Sequence, residues 1–310
     1  MEFYDPILAL CNDRTKTAKK NPTIDEPQSY LNNNLLEPLG LIGLNFDFFI
    51  DWNNNTLSRE IWVKLPYRGA KGTNDEIIQL LRQQSKFVDL VRFAQANNLS
   101  VSGFIFDDEQ DWSKNESELT LAHWNQQTKL TLSVISIEDL KEKIKTLSGG
   151  SVSIGSKGLI YGTSRLECHL STTDALWAGD VDLLLCDRNS FEPVLIFEFK
   201  KHTGSGSISF EKQNFSNYYP RPDQRKYDRL WYLANQLSSR SLPIFIVYYS
   251  TQKNETDIKV EKIGFNNGLK SLGIRNIEID TENPIASYNT LINILLTKMG
   301  SAQDSDHIER

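Results

Sequence analysis

Short aliphatic runs bounded by turn-forming residues recur along the chain. They alternate with longer segments whose apolar residues repeat every three or four positions. Runs of the first kind predict buried strands and segments of the second kind predict helices packed by one face, so the chain reads as α/β. LNFDFFIDW (Leu44–Trp52) and REIWVKLPYRG (Arg59–Gly69) predict a strand pair around the turn NNNTLS. Asn74–Leu99 predicts one helix, with Ile77, Leu80, Leu81, Val88 and Val91 on its buried face. Strands follow at Val101–Phe106 and Lys129–Ser136, then a helix at Ile137–Leu147 and another around Ser164–Leu170. GDVDLLL (Gly179–Leu185) and VLIFEFKKH (Val194–His202) read as neighbouring buried strands. Pro222–Leu237 predicts a helix with Pro in its first turn, and LPIFIVYYS (Leu242–Ser250) a fully buried strand. Ile258–Phe265 and Ile274–Asp280 predict edge strands, and Ser287–Met299 a closing helix. At the start, Met1–Gln28 predicts a short helix and then an irregular arm with Arg14, Lys16, Lys19 and Lys20. The arm reads as a solvated tail, with a nucleic-acid contact as the alternative. Ser29–Gly40 predicts a helix ending before Pro38.

GGSVSIGSKG (Gly149–Gly158) is the longest Gly/Ser-rich joint, and it divides the chain into an N-terminal α/β domain (1–148) and a second domain (149–299). A polar tail, 300–310, is expected to be disordered. The two parts echo each other. The first has a strand with Asp47 and Asp51, a strand containing Glu60-Ile61-Trp62-Val63-Lys64, a polar loop, a helix and a buried strand. The second has the same order around Asp182, Glu198 and Lys200, with Trp62 standing where Glu198 would be. Ordinary α/β units share that order, which is the simpler explanation. The other reading makes the first domain a degenerate copy; target recognition and oligomerisation are further roles for it.

Charge inside the second pair of runs changes the picture. Glu198 and Lys200 lie among Ile196, Phe197 and Phe199, and a strand's period of two points both charges to one face. Such charges are costly to bury. If the two runs form a hairpin, Asp182 lies beside Glu198, and paired carboxylates repel unless a cation lies between them. Oxygen ligands of this kind suit Mg²⁺, with Mn²⁺ as a substitute. Asp180 is two residues from Asp182 and within the same reach. Asp182 is the choice because Val181 and Leu183–Leu185 embed it in the apolar run.

Asp182 followed by Glu198-Phe199-Lys200 resembles the core of the PD-(D/E)xK nuclease superfamily, whose fold is restriction-endonuclease-like. GTSRLECHL (Gly162–Leu170) supplies Glu167 where that family carries a Glu on the preceding helix, and the helix from Pro222 offers Gln224, Lys226 and Tyr227. The resemblance covers roughly Lys157 to Ser250. It implies a restriction-endonuclease-like mixed sheet flanked by helices in the second domain, and a Mg²⁺-dependent nuclease, with DNA favoured over RNA. It further implies that Asp182, Glu198 and the Phe199 carbonyl are metal ligands, with Glu167 acting through a metal-bound water. Lys200 would position or activate the attacking water, and Lys201, Gln224, Arg225, Lys226 and Tyr227 would line the nucleic acid.

Composition narrows this only in places. A net charge of −6 argues against a protein that coats DNA generally. Between Lys200 and Arg229, however, seven basic residues face three acidic ones, a local surplus beside the proposed site. No apolar run approaches the roughly 18 residues of a membrane span. The N-terminus lacks a basic start with a long apolar stretch, and three cysteines are too few for a disulfide framework, so a reducing cytoplasm is the expected location. A non-cleaving module on the same fold is the rival reading. A nucleotide phosphohydrolase is weakened by the lack of a GxxxxGK loop. A homodimer stays open.

Overall fold

The computed structural model describes residues 1–17, 26–114, 116–125, 130–151, 158–204, 208–252, 255–265 and 267–303. The chain begins with β1 (Glu2–Phe3), β2 (Ala9–Leu10) and β3 (Asp13–Thr17), not with a helix. Pro6 interrupts the first segment, and Asp13–Thr17 is too polar to bury a helical face. Two short helices, α1 (Pro27–Tyr30) and α2 (Asn33–Leu36), lead into β4 (Leu41–Asp51) and β5 (Thr56–Arg68). Next come α3 (Asn74–Gln83) and α4 (Ser85–Ala96), then β6 (Ser100–Asp107), β7 (Glu118–Trp124), β8 (Leu130–Ser136) and α5 (Ile137–Ser148). β9 (Tyr161–Gly162) and α6 (Arg165–Leu170) precede β10 (Gly179–Asp187) and β11 (Pro193–His202). The chain continues with α7 (Gln224–Gln236), β12 (Ile244–Ser250), β13 (Ile258–Phe265), β14 (Leu269–Ile277) and α8 (Pro284–Gln303).

Local chemistry accounts for several boundaries. α3 and α5 both open on reciprocal capping pairs, Thr73 with Glu76 and Ser136 with Asp139. The single helix predicted over Asn74–Leu99 breaks at Gln84, whose extended backbone (φ −81°, ψ 104°) ends α3 and starts α4. The break lets Ile77 and Leu81 face the core together with Phe87, Leu90 and Phe93, which one straight helix would spread over too wide an arc. β7 went unpredicted because Glu118, Thr120 and His123 dilute its apolar residues. α8 runs into the segment expected to be a disordered tail; residues 304–310, and most of the Gly/Ser joint (152–157), lie outside the described residues.

A mixed sheet of eleven strands, ordered β14-β13-β12-β11-β10-β4-β5-β6-β7-β8 with β1 added beside β5, is flanked by helices. It crosses the boundary expected near residue 148: β4 pairs antiparallel with β10, so strands from both parts share one ladder. α4 and α7 cover one face, where Phe87, Leu90 and Phe93 join Tyr227, Leu230 and Leu233 in a single core. The other face carries two cores. Leu31, Leu35 and Leu36 near α1 and α2 join Tyr288 and Leu291 of α8 over β10–β12. α5 and α6 lie over Trp62 and Phe104. The helices that precede β4 and β10 are therefore exchanged, each covering the other half of the sheet.

A smaller sheet, β3-β2-β9, fastens the N-terminal arm, and Cys11 is disulfide-bonded to Cys168 of α6. The Arg14 guanidinium donates to the carbonyls of Ile7 (2.9 Å) and Thr163 (3.2 Å) and pairs with Asp108 at 3.5 Å, so this arm residue is packed and not solvated. No helix among the described residues is long and apolar enough to cross a membrane.

Phe48 is fully buried on β4 and lies between Ile61 of β5 and Gly179 of β10. Phe48→Ala should lower stability by roughly 3–5 kcal/mol. In urea the wild type should unfold in one transition that tryptophan fluorescence and far-ultraviolet dichroism report alike. Two separated transitions would mean that the halves fold independently in spite of the shared ladder.

Candidate active site

The hairpin of β10 and β11 aligns Leu183 with Phe197, which brings Asp182 beside Glu198 as a cross-strand neighbour. The ladder between β10 and β4 shifts register between Val181 and Leu184. Irregularities of this kind re-aim a side chain. Here the freed Asp182 turns along the hairpin and its Oδ2 accepts the Phe199 N–H at 2.8 Å. On β11, Leu195, Phe197 and Phe199 join the core under α8, while Ile196 joins the core under α7. Glu198 and Lys200 share the α7 side by the strand's period of two.

α7 adds a second cation. Its Lys226 Nζ lies 2.8 Å from Glu198 Oε1, 3.5 Å from Asp180 Oδ1 and 3.6 Å from Asp182 Oδ1. Lys200 Nζ lies 3.3 Å from Glu198 Oε1 and donates to Asp223 Oδ2 at 2.8 Å. The rings of Tyr218 and Tyr227 flank Lys200 at 4.8 and 5.5 Å. Glu198 is 1 % exposed, and among the described residues its Oε2 has no hydrogen-bond partner.

The electrostatics follow from burial and crowding. Burial and the neighbouring Glu198 hold the Asp182 carboxyl well above the usual carboxylate range, against the pull of Lys226. Burial alone would discharge Lys226, but Asp180, Asp182 and Glu198 outweigh it and push its ammonium well above the ordinary value. Lys200 follows the same balance: burial lowers it, and Glu198 together with Asp223 raises it above the ordinary value. Lys226 holds Asp180 below the usual range. Two permanent cations thus face a set of acids of which Asp182 is the reluctant member.

Of the residues singled out in the sequence, the fold brings together Asp182, Glu198, Lys200 and Lys226. Phe199 contributes its N–H. Asp180, set aside in favour of Asp182, belongs to the cluster too, and Asp223 was missed; its signal was its place just before the amphipathic α7. Lys226 is inside the acidic cluster and not on an outer surface. Tyr227 is 1 % exposed, because the spacing 227, 230, 234 is the core face of α7. Its ring packs edge-on against Phe215 and cannot line a nucleic acid. Gln224 and Arg225 are exposed at the start of α7. Lys201 points away from Lys200 and pairs with Glu26 at 2.7 Å.

Glu167 stands elsewhere. α6 covers β5 on the opposite face, and there Glu167 takes the Thr163 N–H and hydroxyl at 2.7 and 2.6 Å and lies 3.6 Å from Lys64. Asp47 joins this second cluster, 3.5 Å from Lys64, with its Oδ2 accepting the Trp177 indole N–H at 2.8 Å. Burial raises the Asp47 carboxyl to about 6 in spite of Lys64. Each of these groups has its partner, so the second cluster reads as a structural tie between α6 and β5.

Among the described residues, no three or more His, Cys, Asp or Glu side chains are assembled as a ready metal cage. The donor chemistry still fits a hard divalent cation: acidic oxygens, like charges held side by side, and one buried carboxylate oxygen without a partner. No protein-family model matches the chain, and no curated protein or solved structure matches it.

Because the fold raises the Asp182 pKa, the folded state holds more protons than the unfolded chain from about pH 4, the ordinary aspartate value, upward. Stability in metal-free buffer should therefore fall as pH rises through that window. Asp182→Asn removes this loss while Lys226 keeps Asp180 and Glu198. The melting-temperature advantage of the variant should grow between pH 4 and 8 in thermal melts with EDTA. An advantage that stays flat with pH would show that Asp182 carries no such strain.

Proposed function

We propose that the cluster of Asp182, Glu198 and Lys200 hydrolyses phosphodiester bonds of nucleic acid, DNA first, with a divalent cation. The observation that carries this reading is Glu198: a carboxylate buried on a covered strand, one oxygen unpartnered, beside a second carboxylate of raised pKa and two lysines. The resemblance of Asp182 and Glu198-Phe199-Lys200 to the PD-(D/E)xK nucleases supports it.

Asp182 and Glu198, with the Phe199 carbonyl beside them, would hold Mg²⁺ or Mn²⁺. Such an ion, when bound, acidifies water and neutralises charge on a phosphate. The chain's own residues do the rest. Lys200 stays protonated, because Glu198 and Asp223 together outweigh its burial, so it can donate to the attacking water and to a phosphate oxygen as negative charge grows there. Asp223 and the two tyrosine rings fix its direction. Lys226 balances the acids at rest and has to leave Glu198 for a cation to be held. Arg221, Gln224 and Arg225 are exposed where α7 begins and can meet backbone phosphates. The Cys11–Cys168 bridge favours oxidising surroundings over the cytoplasm suggested by the cysteine count.

One observation favours a second reading. Lys226 already neutralises the acidic cluster, as it would in a module that binds nucleic acid without cutting it.

Incubation with duplex DNA, single-stranded DNA and RNA in Mg²⁺, Mn²⁺ or EDTA separates the two readings. Cleavage should require metal, and Lys200→Ala should lower it by at least about 10² with the fold intact. Retained binding without cleavage under every condition would favour the module. Arg221→Ala with Arg225→Ala should weaken binding and flatten its salt dependence by about one unit of slope per lost phosphate contact. An unchanged slope would leave these arginines as solvated surface.

A further inference from the structure

The sheet reads the same from either edge. β4 and β10 pair antiparallel at its centre, with Asp47 opposite Asp180. Outward from each, a hairpin partner follows (β5 or β11), then a helical crossover to a parallel strand (β6 or β12), then two antiparallel strands. A helix then closes each half on the opposite face, α5 in one and α8 in the other. Both crossovers, α3–α4 and α7, lie on the same face. A half-turn about an axis normal to the sheet, passing between β4 and β10, relates the halves and keeps the faces.

The sequence agrees where the crossovers are compared. QSKFVDLVRFA (Gln84–Ala94) and QRKYDRLWYLA (Gln224–Ala234) share Gln, Lys, Leu and Ala in the same places. Phe87, Leu90, Phe93 and Ala94 are buried as Tyr227, Leu230, Leu233 and Ala234 are. The match therefore covers burial as well as residue type. Lys86 is the counterpart of Lys226.

Faces then decide which positions correspond at the site. Trp62 belongs to the core under α5 and α6, the opposite face from Glu198, so it is not the counterpart of that glutamate. Ile61 and Leu65 lie on the α4 face as Ile196 lies on the α7 face. Matching Ile61 to Ile196 puts Val63 at Glu198 and Leu65 at Lys200. The pairings Asp47 with Trp62 and Leu183 with Phe197 then put Phe46 at Asp182. All three chemical positions are apolar in the first half. Lys86 has kept its charge, but it pairs with Asp5 at 3.7 Å on the surface.

We propose that the chain is a fused pair with one working centre, and that on duplex DNA it breaks one strand per encounter and leaves a nick. This rests on the hydrolytic reading above. The two strands of a duplex run antiparallel, so a two-fold protein with two live centres can address both at once. At the matched positions only the Asp182–Glu198–Lys200 half carries acidic and basic groups; Phe46, Val63 and Leu65 stand there in the other. In the step itself a water oxygen bonds to phosphorus as one P–O ester bond breaks, and the departing oxygen takes a proton. One strand ends in a phosphate monoester and a hydroxyl, and the other strand is untouched.

Two measurements test the proposal. The first is calorimetric titration of the apoprotein with Mn²⁺, which should give one site per chain, lost in Asp182→Asn and kept in Lys86→Ala. The second is a time course on supercoiled plasmid, in which open circles should accumulate well before any linear form. A Mn²⁺ site that persists in Asp182→Asn, or linear DNA appearing from the outset at the rate of open circles, would overturn the single-centre proposal while the hydrolytic reading stood. One Mn²⁺ bound with no nucleic acid broken would sink the hydrolytic reading and the nicking with it, and would support a single centre of another use.

Discussion

A carboxylate on a strand covered on both faces has to be met by positive charge, and most of the second half is arranged to meet Glu198. Removing one partner of a buried ion pair costs far more than the pair contributes. The positions of Lys200 and Lys226 are therefore coupled constraints and not separate contacts. Lys200 comes from the same strand and needs only the period of two. Lys226 comes from α7, so the start of that helix has to sit over β11, and the core spacing of Tyr227, Leu230 and Leu233 holds it there. Asp223, just before the helix, then secures the first lysine.

The centre of the sheet adds a second constraint. Asp180 feels Lys226 most strongly and also feels Lys64 across the β4–β10 junction. It links the acidic cluster on one face to the structural tie of Asp47, Lys64 and Glu167 on the other. A disturbance in the packing of α6 against β5 thus has an electrostatic route to the acidic cluster that crosses one pair of strands.

Much of this was legible in the sequence, and the exceptions at the site share a cause. Strand and helix positions followed from apolar periodicity, and the convergence of Asp182 with Glu198 followed from two runs short enough to form a hairpin. Which helix covers which strands is not written in periodicity. α6 lies next to β10 in sequence, yet its apolar residues Leu166 and Leu170 fit the Trp62 and Phe104 surface of the other half. Glu167 went with them. Trp62 differs for a related reason: order along the chain suggests a match to Glu198, whereas burial places the two on opposite faces. Asp180 was set aside because its exposure at the strand end was legible and Lys226 above it was not. The N-terminal segment failed differently, since its short strands depend on pairing with Tyr161 and Gly162, which are distant in sequence.

The bridge from Cys11 to Cys168 closes 157 positions of chain into a covalent ring. That ring contains β4 to β8, the main run of strands in the first half of the sheet, while the acidic cluster of Asp182, Glu198, Lys200 and Lys226 lies outside it in the same molecule. A peptide-bond break anywhere between residues 12 and 167 opens the ring without dividing the protein, and the ends stay joined until a thiol exchanges with the sulfurs. The first half is in this sense a tether: its backbone can be cut once and still carry the other half.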